Sequence, residues 1–453
     1  MAEDIGLSEA SMQPAVRAVG RGYRNYAMGL LLLIYVMNFV DRQVVNILAE
    51  PIKRELGLLD WQVGAMSGLA FALFYTVLGL PIARAAERGH RPFIIAAALA
   101  LWSLFTALCG FAQTFAQLLL ARIGVGVGEA GCTPPAHSLI VDYVPKEKRA
   151  SALAFYAMGT PLGGLVGMTL GGLIADAYGW RMAFIVCGLP GLLLAAIAGL
   201  TLIEPRIRAS ADELRARAQQ MRDAKPFREA LATLRKKRTF WLVAFAAAIK
   251  AFIGYGQAPF AASFFYRNHL EEVTALGAMF GLAPGGFLGL SLGLMAGIGG
   301  AIGAFAGGAI ADRYGSRDYR AYVSVPAVAS VVIMPVFLFG VLSPSAVVAL
   351  LSLFFGAIIG TLWYGPVYAT AQTIAPPHMR ATASAILLFI INLIGLGLGP
   401  LATGALSDMF AITFGMGEGE GVRWALITAS LTGFVAAGLF WLARKSIRAE
   451  MEG

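Results

Sequence analysis

Four ionisable residues stand inside stretches that are otherwise apolar: Asp41 and Arg42 in LLLIYVMNFVDRQVVNILA, and Arg122 and Glu129 in LLLARIGVGVGEAGCTPP. If these stretches cross a bilayer, each charge at mid-depth costs at least ~2.5 kcal/mol, so such residues normally face a bundle interior or a watery cavity and mark a path. Arg122 and Glu129 are seven positions apart, which on a helix puts them ~20° apart in azimuth and ~10 Å apart along the axis. They share one face. Asn38 precedes Asp41 by about one turn on nearly the same stripe, and Asp41 and Arg42, ~100° apart, can both border a wide cavity. If the two stretches meet, two acids and two bases form a mutually neutralising network that offsets part of the burial cost.

Such a network can couple a proton to a solute. The proton affinity of a carboxylate depends on its burial and on the arginine it faces, so a change of partner drives proton uptake or release. Glu129 is the first candidate for the proton carrier, because Gly124, Gly126, Gly128 and Gly131 around it leave room for water or for another helix backbone. Asp41 is the second. Arg42 and Arg122 serve as counter-ions or as ligands for an anionic head group, which the planar guanidinium matches in two-pronged fashion. The competing reading is an ion-pair cluster that only holds two helices together.

Composition identifies the elements that carry these residues. Of 453 residues 58% are hydrophobic and 13% charged, with 54 glycines and a mean hydropathy of +0.72. No ordinary soluble domain has that balance. Twelve apolar segments are long enough to cross a bilayer: 27–49, 62–84, 93–113, 115–141, 150–175, 183–203, 240–266, 286–311, 320–341, 345–372, 381–411 and 423–443. Polar residues precede the first, which is too long for a cleaved signal peptide, so the amino terminus is expected to be retained. The segments between spans that fall on the termini's side hold 27 of the 35 Lys and Arg residues, and the opposite loops hold 5. Basic loops stay in the cytoplasm, so both termini are expected there, in a bacterial-type inner membrane. This bias accounts for the net charge of +9 without a nucleic-acid partner. Residues 204–239, with eleven basic and five acidic residues, read as a basic linker helix resting on the anionic leaflet. The expected organisation is a cytoplasmic segment 1–26, a six-helix bundle 27–203, the linker 204–239, a second six-helix bundle 240–443 and a tail 444–453. Cys109, Cys132 and Cys187 are an odd set in apolar surroundings and read as packing residues, with no metal spacing.

The two sets of six spans repeat one another. GGAIADRYGSR after span eight, with Gly308, Asp312, Arg313, Gly315 and Arg317, matches GLPIARAAERGHR after span two, with Glu87, Arg88, Gly89 and Arg91. GGLIADAYGWRMAF, with Asp176 and Arg181, matches GPLATGALSDMF followed by GVRWAL, with Asp408 and Arg423; VPKEKRASA matches APPHMRATA, bringing Arg149 opposite Arg380. Three matches in order mean a duplicated six-span unit. With these loop signatures the chain resembles the major facilitator superfamily, which implies an all-α membrane fold whose two bundles rock about a central cavity. In that family the loop charges latch helix ends, a role the resemblance assigns to Glu87, Arg88, Asp312, Arg313 and Arg317. The first copy departs from the usual pattern, since Ala83 stands where an acid commonly falls. NFVDRQVVNILAEPIKRELGLLDWQVG and RIGVGVGEAGCTPPAHSLIVDYVPKEKR further resemble the Spinster branch, with Asp-Arg in the first span and GxGEA in the fourth. That branch is associated with sphingosine-1-phosphate and lysophospholipid export, some members being proton-dependent.

The carboxy-terminal half differs in character. Lys250 is its clear mid-span charge, beside Gln257, Trp363, Tyr364, Tyr368, Gln372 and Asn392. Tyr364, Tyr368 and Gln372 recur every four residues and share a helical face. A cavity charged on one wall and aromatic on the other suits an amphiphile with an ionic head, although a drug exporter would present the same face. Gly254, Gly256 and Pro259 in span seven, and Gly293, Gly297, Gly299, Gly300, Gly303, Gly307 and Gly308 in span eight, mark these as the least regular and most closely packable helices, with span seven bending during the cycle and span eight either bending or packing closely. The four His residues are scattered, and GVGVGE lies within a span rather than after a strand, so no enzyme is read here. The sequence reading is a monomeric transporter without cofactor, moving a small lysolipid or sphingoid amphiphile among membrane lipids with the proton as coupling ion. The alternatives are an organic-anion or drug transporter on the same fold, or a pH-independent facilitator.

Overall fold

The computed structural model describes residues 20–205, 227–376 and 379–452. Most of the expected amino-terminal segment and of the basic linker therefore lies outside the described residues, as do the side chains of Glu87 and Arg88. Among the described residues twelve helices are long and apolar enough to span a membrane: Arg21–Leu56, Asp60–Gly79, Arg91–Cys109, Phe115–Tyr143, Ser151–Tyr178, Trp180–Thr201, Arg238–Asn268, Pro284–Gly315, Ala321–Val341, Ala346–Ile374, Thr382–Thr413 and Gly417–Ala443. The fold is all-α and matches the twelve spans read from hydropathy. Span one runs further at both ends than 27–49, because Arg21, Arg24, Lys53 and Arg54 continue the helix into polar surroundings.

Each half packs by one scheme. Spans one and five, two and four, three and four, and three and six lie against each other in the first half. Spans seven and eleven, eight and ten, nine and ten, and nine and twelve repeat those pairings in the second. The helical irregularities repeat too. A π-helical turn at Ala65–Leu69 in span two returns 230 positions later at Met295–Gly299 in span eight. Span four breaks between Glu129 and Thr133, and span ten breaks between Thr361 and Tyr364. Both second segments open with proline near their start, Pro134 and Pro135 in one and Pro366 in the other. Proline has no N–H to donate to the preceding turn and is at home only where a helix begins. Span seven is one unbroken helix through Gly254, Gly256 and Pro259, which corrects the expectation that it is among the least regular. A Cβ on Gly256 would stand 2.9 Å from the Gly399 carbonyl oxygen, so this glycine permits close approach to span eleven.

The extensive contacts between the halves run from mid-depth to the end opposite the termini. Two seams make them. Where spans five and eight cross, a Cβ on Gly172 would meet the Gly285 carbonyl oxygen at 2.1 Å and one on Gly289 the Met168 oxygen at 2.2 Å. Where spans two and eleven cross, Gly64 stands in the same relation to Pro400 at 2.1 Å. Small residues let helix backbones approach without a hydrophobic driving force between them. Gly172→Ala is expected to cost about 1–3 kcal/mol by overpacking, read as a lower melting temperature in detergent. Gly254→Ala, whose Cβ meets nothing within 4 Å, is expected to leave it unchanged.

Candidate functional site

Spans one and four do meet, and the four charges divide into two environments. Arg42 Nε donates to Glu129 Oε2 at 2.6 Å, with Glu129 fully buried and the Arg42 side chain 18% exposed. Three rings surround the guanidinium, those of Phe39 at 5.2 Å and of Phe71 and Tyr75 each at 4.7 Å, which add cation–π attraction. Glu129 is the last residue of the first segment of span four, so the helix break lies immediately beyond it. The glycines around it hold helices together: a Cβ on Gly128 would meet the Trp102 backbone nitrogen at 2.6 Å, and one on Gly126 the Phe71 oxygen at 2.8 Å.

Asp41 occupies the other environment. It is fully buried toward span three, where the polar groups of Trp102 and Thr106 face its carboxylate. Arg122 reaches only its backbone, Nη1 donating to the Asp41 carbonyl at 3.4 Å. Asn38, 1% exposed, lies about one turn before Asp41 and turns its amide toward Glu129. The expectation that Asp41 and Arg42 both border the cavity is thus half corrected. Their ~100° separation sends Arg42 to the cavity and Asp41 into the bundle.

Two adjoining cavities open beside Arg42. The smaller, about 50 Å³, is bordered by Arg42, Arg122, Asn46 and Phe71. The larger, about 370 Å³, is bordered mainly by the second half, with Lys250, Gln257, Trp363 and Tyr364 on its wall. Gln43, Tyr255 and Ala258 border both and join them. Gln43 accepts from Asn46 Nδ2 at 2.8 Å. This pair went unread in the sequence, although polar residues at positions 43 and 46 continue the charged stripe of span one. Gln257 is tied to span twelve through Ser430 Oγ at 2.7 Å. Trp363 and Tyr364 stack with centroids 4.1 Å apart. Tyr368 packs on the core beyond this wall and Gln372 is exposed, so of the three residues spaced by four only Tyr364 borders the larger cavity.

At the termini's end, Asp312 accepts from Tyr322 Oη at 2.9 Å inside its own half, and Arg313 and Arg317 are exposed. None of the three pairs with a described residue of the other half. The charges that join the halves in this conformation sit at the opposite end. Arg267 of span seven donates through Nη1 and Nη2 to Asp60 at 2.8 Å each, and through Nε to Glu50 at 2.9 Å. Lys53 lies 3.1 Å from Asp60 and 2.9 Å from Glu418. Two aspartates add caps across the halves. Asp176, ending span five, accepts from the Gly285 and Gly286 N–H groups at the start of span eight, at 3.1 and 2.6 Å. Asp408, near the end of span eleven, accepts from the Asp60 and Trp61 N–H groups at the start of span two, at 3.0 and 2.8 Å. Each carboxylate meets the positive end of a helix dipole. The cavity is therefore closed toward this end. Just beyond it Glu272 accepts from Ser345 Oγ and the Ala346 N–H, which hold its carboxyl below the usual glutamate range.

Residues 31–400 match the Major Facilitator Superfamily. The chain is 31% identical over 427 residues to an MFS-type efflux pump of Mycolicibacterium smegmatis, covering 94% of each protein. It is 23% identical over 427 residues to protein spinster of Drosophila melanogaster, covering 89% of this chain and 65% of that one. Among solved structures it resembles a bacterial homolog of the human lysosomal transporter Spinster in an inward-facing, unoccupied conformation, with 31% identity, a TM-score of 0.83 and coverage of 95% and 99%. The occupied, inward-facing form of that homolog gives a TM-score of 0.81.

Proposed function

The chain belongs to the major facilitator superfamily, a family of secondary transporters and not of enzymes, and on that premise we propose that it moves a lysolipid or sphingoid-type amphiphile by proton-linked alternating access. The observation that carries the proposal is the Arg42–Glu129 pair, which joins spans one and four while Arg42 faces the cavity. An anionic head that engages Arg42 competes with Glu129 for its guanidinium. Released from its counter-ion in a fully buried place, Glu129 takes a proton, because an unpaired buried charge is too costly to keep. Head binding and proton binding are then linked through one arginine. Asp41, fully buried and in no salt bridge with a described residue, is the second proton station. The apolar and aromatic wall of the larger cavity receives the chain of the amphiphile.

The end carrying the termini and most basic residues is the cytoplasmic one, so the conformation described here is inward-facing. The loop residues Glu87, Arg88, Asp312, Arg313 and Arg317 latch the halves in the opposite, outward-facing state. One chain supplies both cavities, which supports a monomer as the working unit. One observation favours a second reading. A cavity of about 370 Å³ lies within the range that encloses a drug-sized solute, so an organic anion or drug is the alternative cargo.

The test is uptake of a labelled single-chain phospholipid and of sphingosine-1-phosphate into proteoliposomes, with and without a pH gradient. Wild type is compared with Glu129→Gln and Arg122→Ala. Loss of the gradient-dependent part of the flux in both variants is the expected result. Flux indifferent to pH and to Glu129 would leave a facilitator whose charge cluster is structural, and absence of lipid flux from a folded protein would bring the alternative cargo forward.

A further inference from the structure

Lys250 is a buried cation of the second half, and nothing in the Arg42–Glu129 exchange uses it. It lies ~18 Å along span seven from Arg238, is 6% exposed and borders the larger cavity. No described residue offers it a hydrogen bond or an ion pair, and no carboxylate borders that cavity. Of the two buried acids beside the smaller cavity, Glu129 already holds Arg42, and Asp41 is turned into the bundle. Lys250 shares the wall of the larger cavity with Ala251, Tyr255, Trp363 and Tyr364, with Gln257 engaged by Ser430. An ammonium kept away from water is tolerated where an anion completes its site, and in membrane proteins such a charge marks the solute's path.

We propose that Lys250 is the residue that selects cargo by head charge, binding the phosphate or carboxylate of an anionic amphiphile and disfavouring neutral and cationic heads. This rests on the transporter reading above and narrows its substrate class to net anions. Around the larger cavity the cargo meets one cation and no acid, so a negative head gains a charge-assisted hydrogen bond and a positive one meets only repulsion. The aromatic wall then serves the apolar part whatever the head.

The test measures binding to the purified chain in nanodiscs with two probe pairs. The first pair is oleoyl-lysophosphatidate against oleoyl-lysophosphatidylcholine, one chain with two head charges. The second is tetraphenylborate against tetraphenylphosphonium, one shape with opposite charges. Wild type is expected to prefer the anion of each pair by at least about tenfold, the span of one charged hydrogen bond. Lys250→Gln is expected to abolish the preference with the chain still folded, and Lys250→Arg to retain it. Equal binding within both pairs, or a preference that survives in Lys250→Gln, overturns the assignment while a lipid transporter stands. Lysolipids that fail to bind, while the boron and phosphorus ions are still told apart through Lys250, overturn the lipid reading and uphold the assignment.

Discussion

Arg267→Ala is expected to open the closed end. Its guanidinium, 3% exposed, holds Asp60 and Glu50, each side chain 1% exposed. Removing one partner of a buried ion pair costs about 3–5 kcal/mol, because the other charge is left uncompensated. Lys53 and Arg54 soften this, since they reach Asp60 and Glu50 from their own half. Arg267 belongs to the second half and both acids to the first, so the contact exists only while this end is shut. Its loss raises the closed state against the open one instead of destabilising both. A difference of that size moves a two-state ratio by more than about a hundredfold. Spin labels at Leu59 and Glu271, on opposite halves near this end, should report a short separation in wild type and a longer population in the variant. Arg267→Lys should fall between, because a point charge cannot span Asp60 with two donors. A distance distribution that ignores the substitution in a folded protein would show that the seams alone hold the end shut.

This closure was hardly legible in the sequence, and the reason is physical. Glu50, Lys53, Asp60 and Arg267 sit near span ends, where charge is ordinary and raises no flag; their burial arises only when two halves separated by some two hundred positions come together. The four mid-span charges were legible because they violate the hydropathy of their own segments. Asp176 and Asp408 were legible as a repeat but not as a function. Only the structure shows each capping the second span of the opposite half, the same task performed twice about the pseudo-symmetry axis. Spacing by four puts Tyr364, Tyr368 and Gln372 along one helical face. Periodicity gives azimuth without depth, however, so it could not separate the cavity residue Tyr364 from the exposed Gln372. Glycine content marks span seven as both irregular and closely packable; the helix is unbroken, and at Gly256 the close packing is realised against span eleven.

The Arg42–Glu129 pair makes the sharper demand, because its two members are not equally placed. Glu129 is fully buried and has Arg42 as its salt-bridge partner, whereas Arg42 is 18% exposed and also has three aromatic faces. Arg42→Ala therefore strands a buried carboxylate and should cost about 3–5 kcal/mol. Glu129→Gln leaves a cation that still has ring faces and access to the cavity, so its effect on stability should be smaller. The double variant is the decisive one. If the two groups act as a pair, Arg42→Ala/Glu129→Gln should be more stable than Arg42→Ala alone, with a coupling of about 1–3 kcal/mol in the cycle. Thermal unfolding in detergent reads the stability arm, and flux at two pH values reads the functional one. Flux should vanish in Arg42→Ala and should lose its pH dependence in Glu129→Gln. Strict additivity of the two substitutions would mean that Arg42 and Glu129 touch without depending on each other, and a cargo head that displaces one from the other could then carry no proton across.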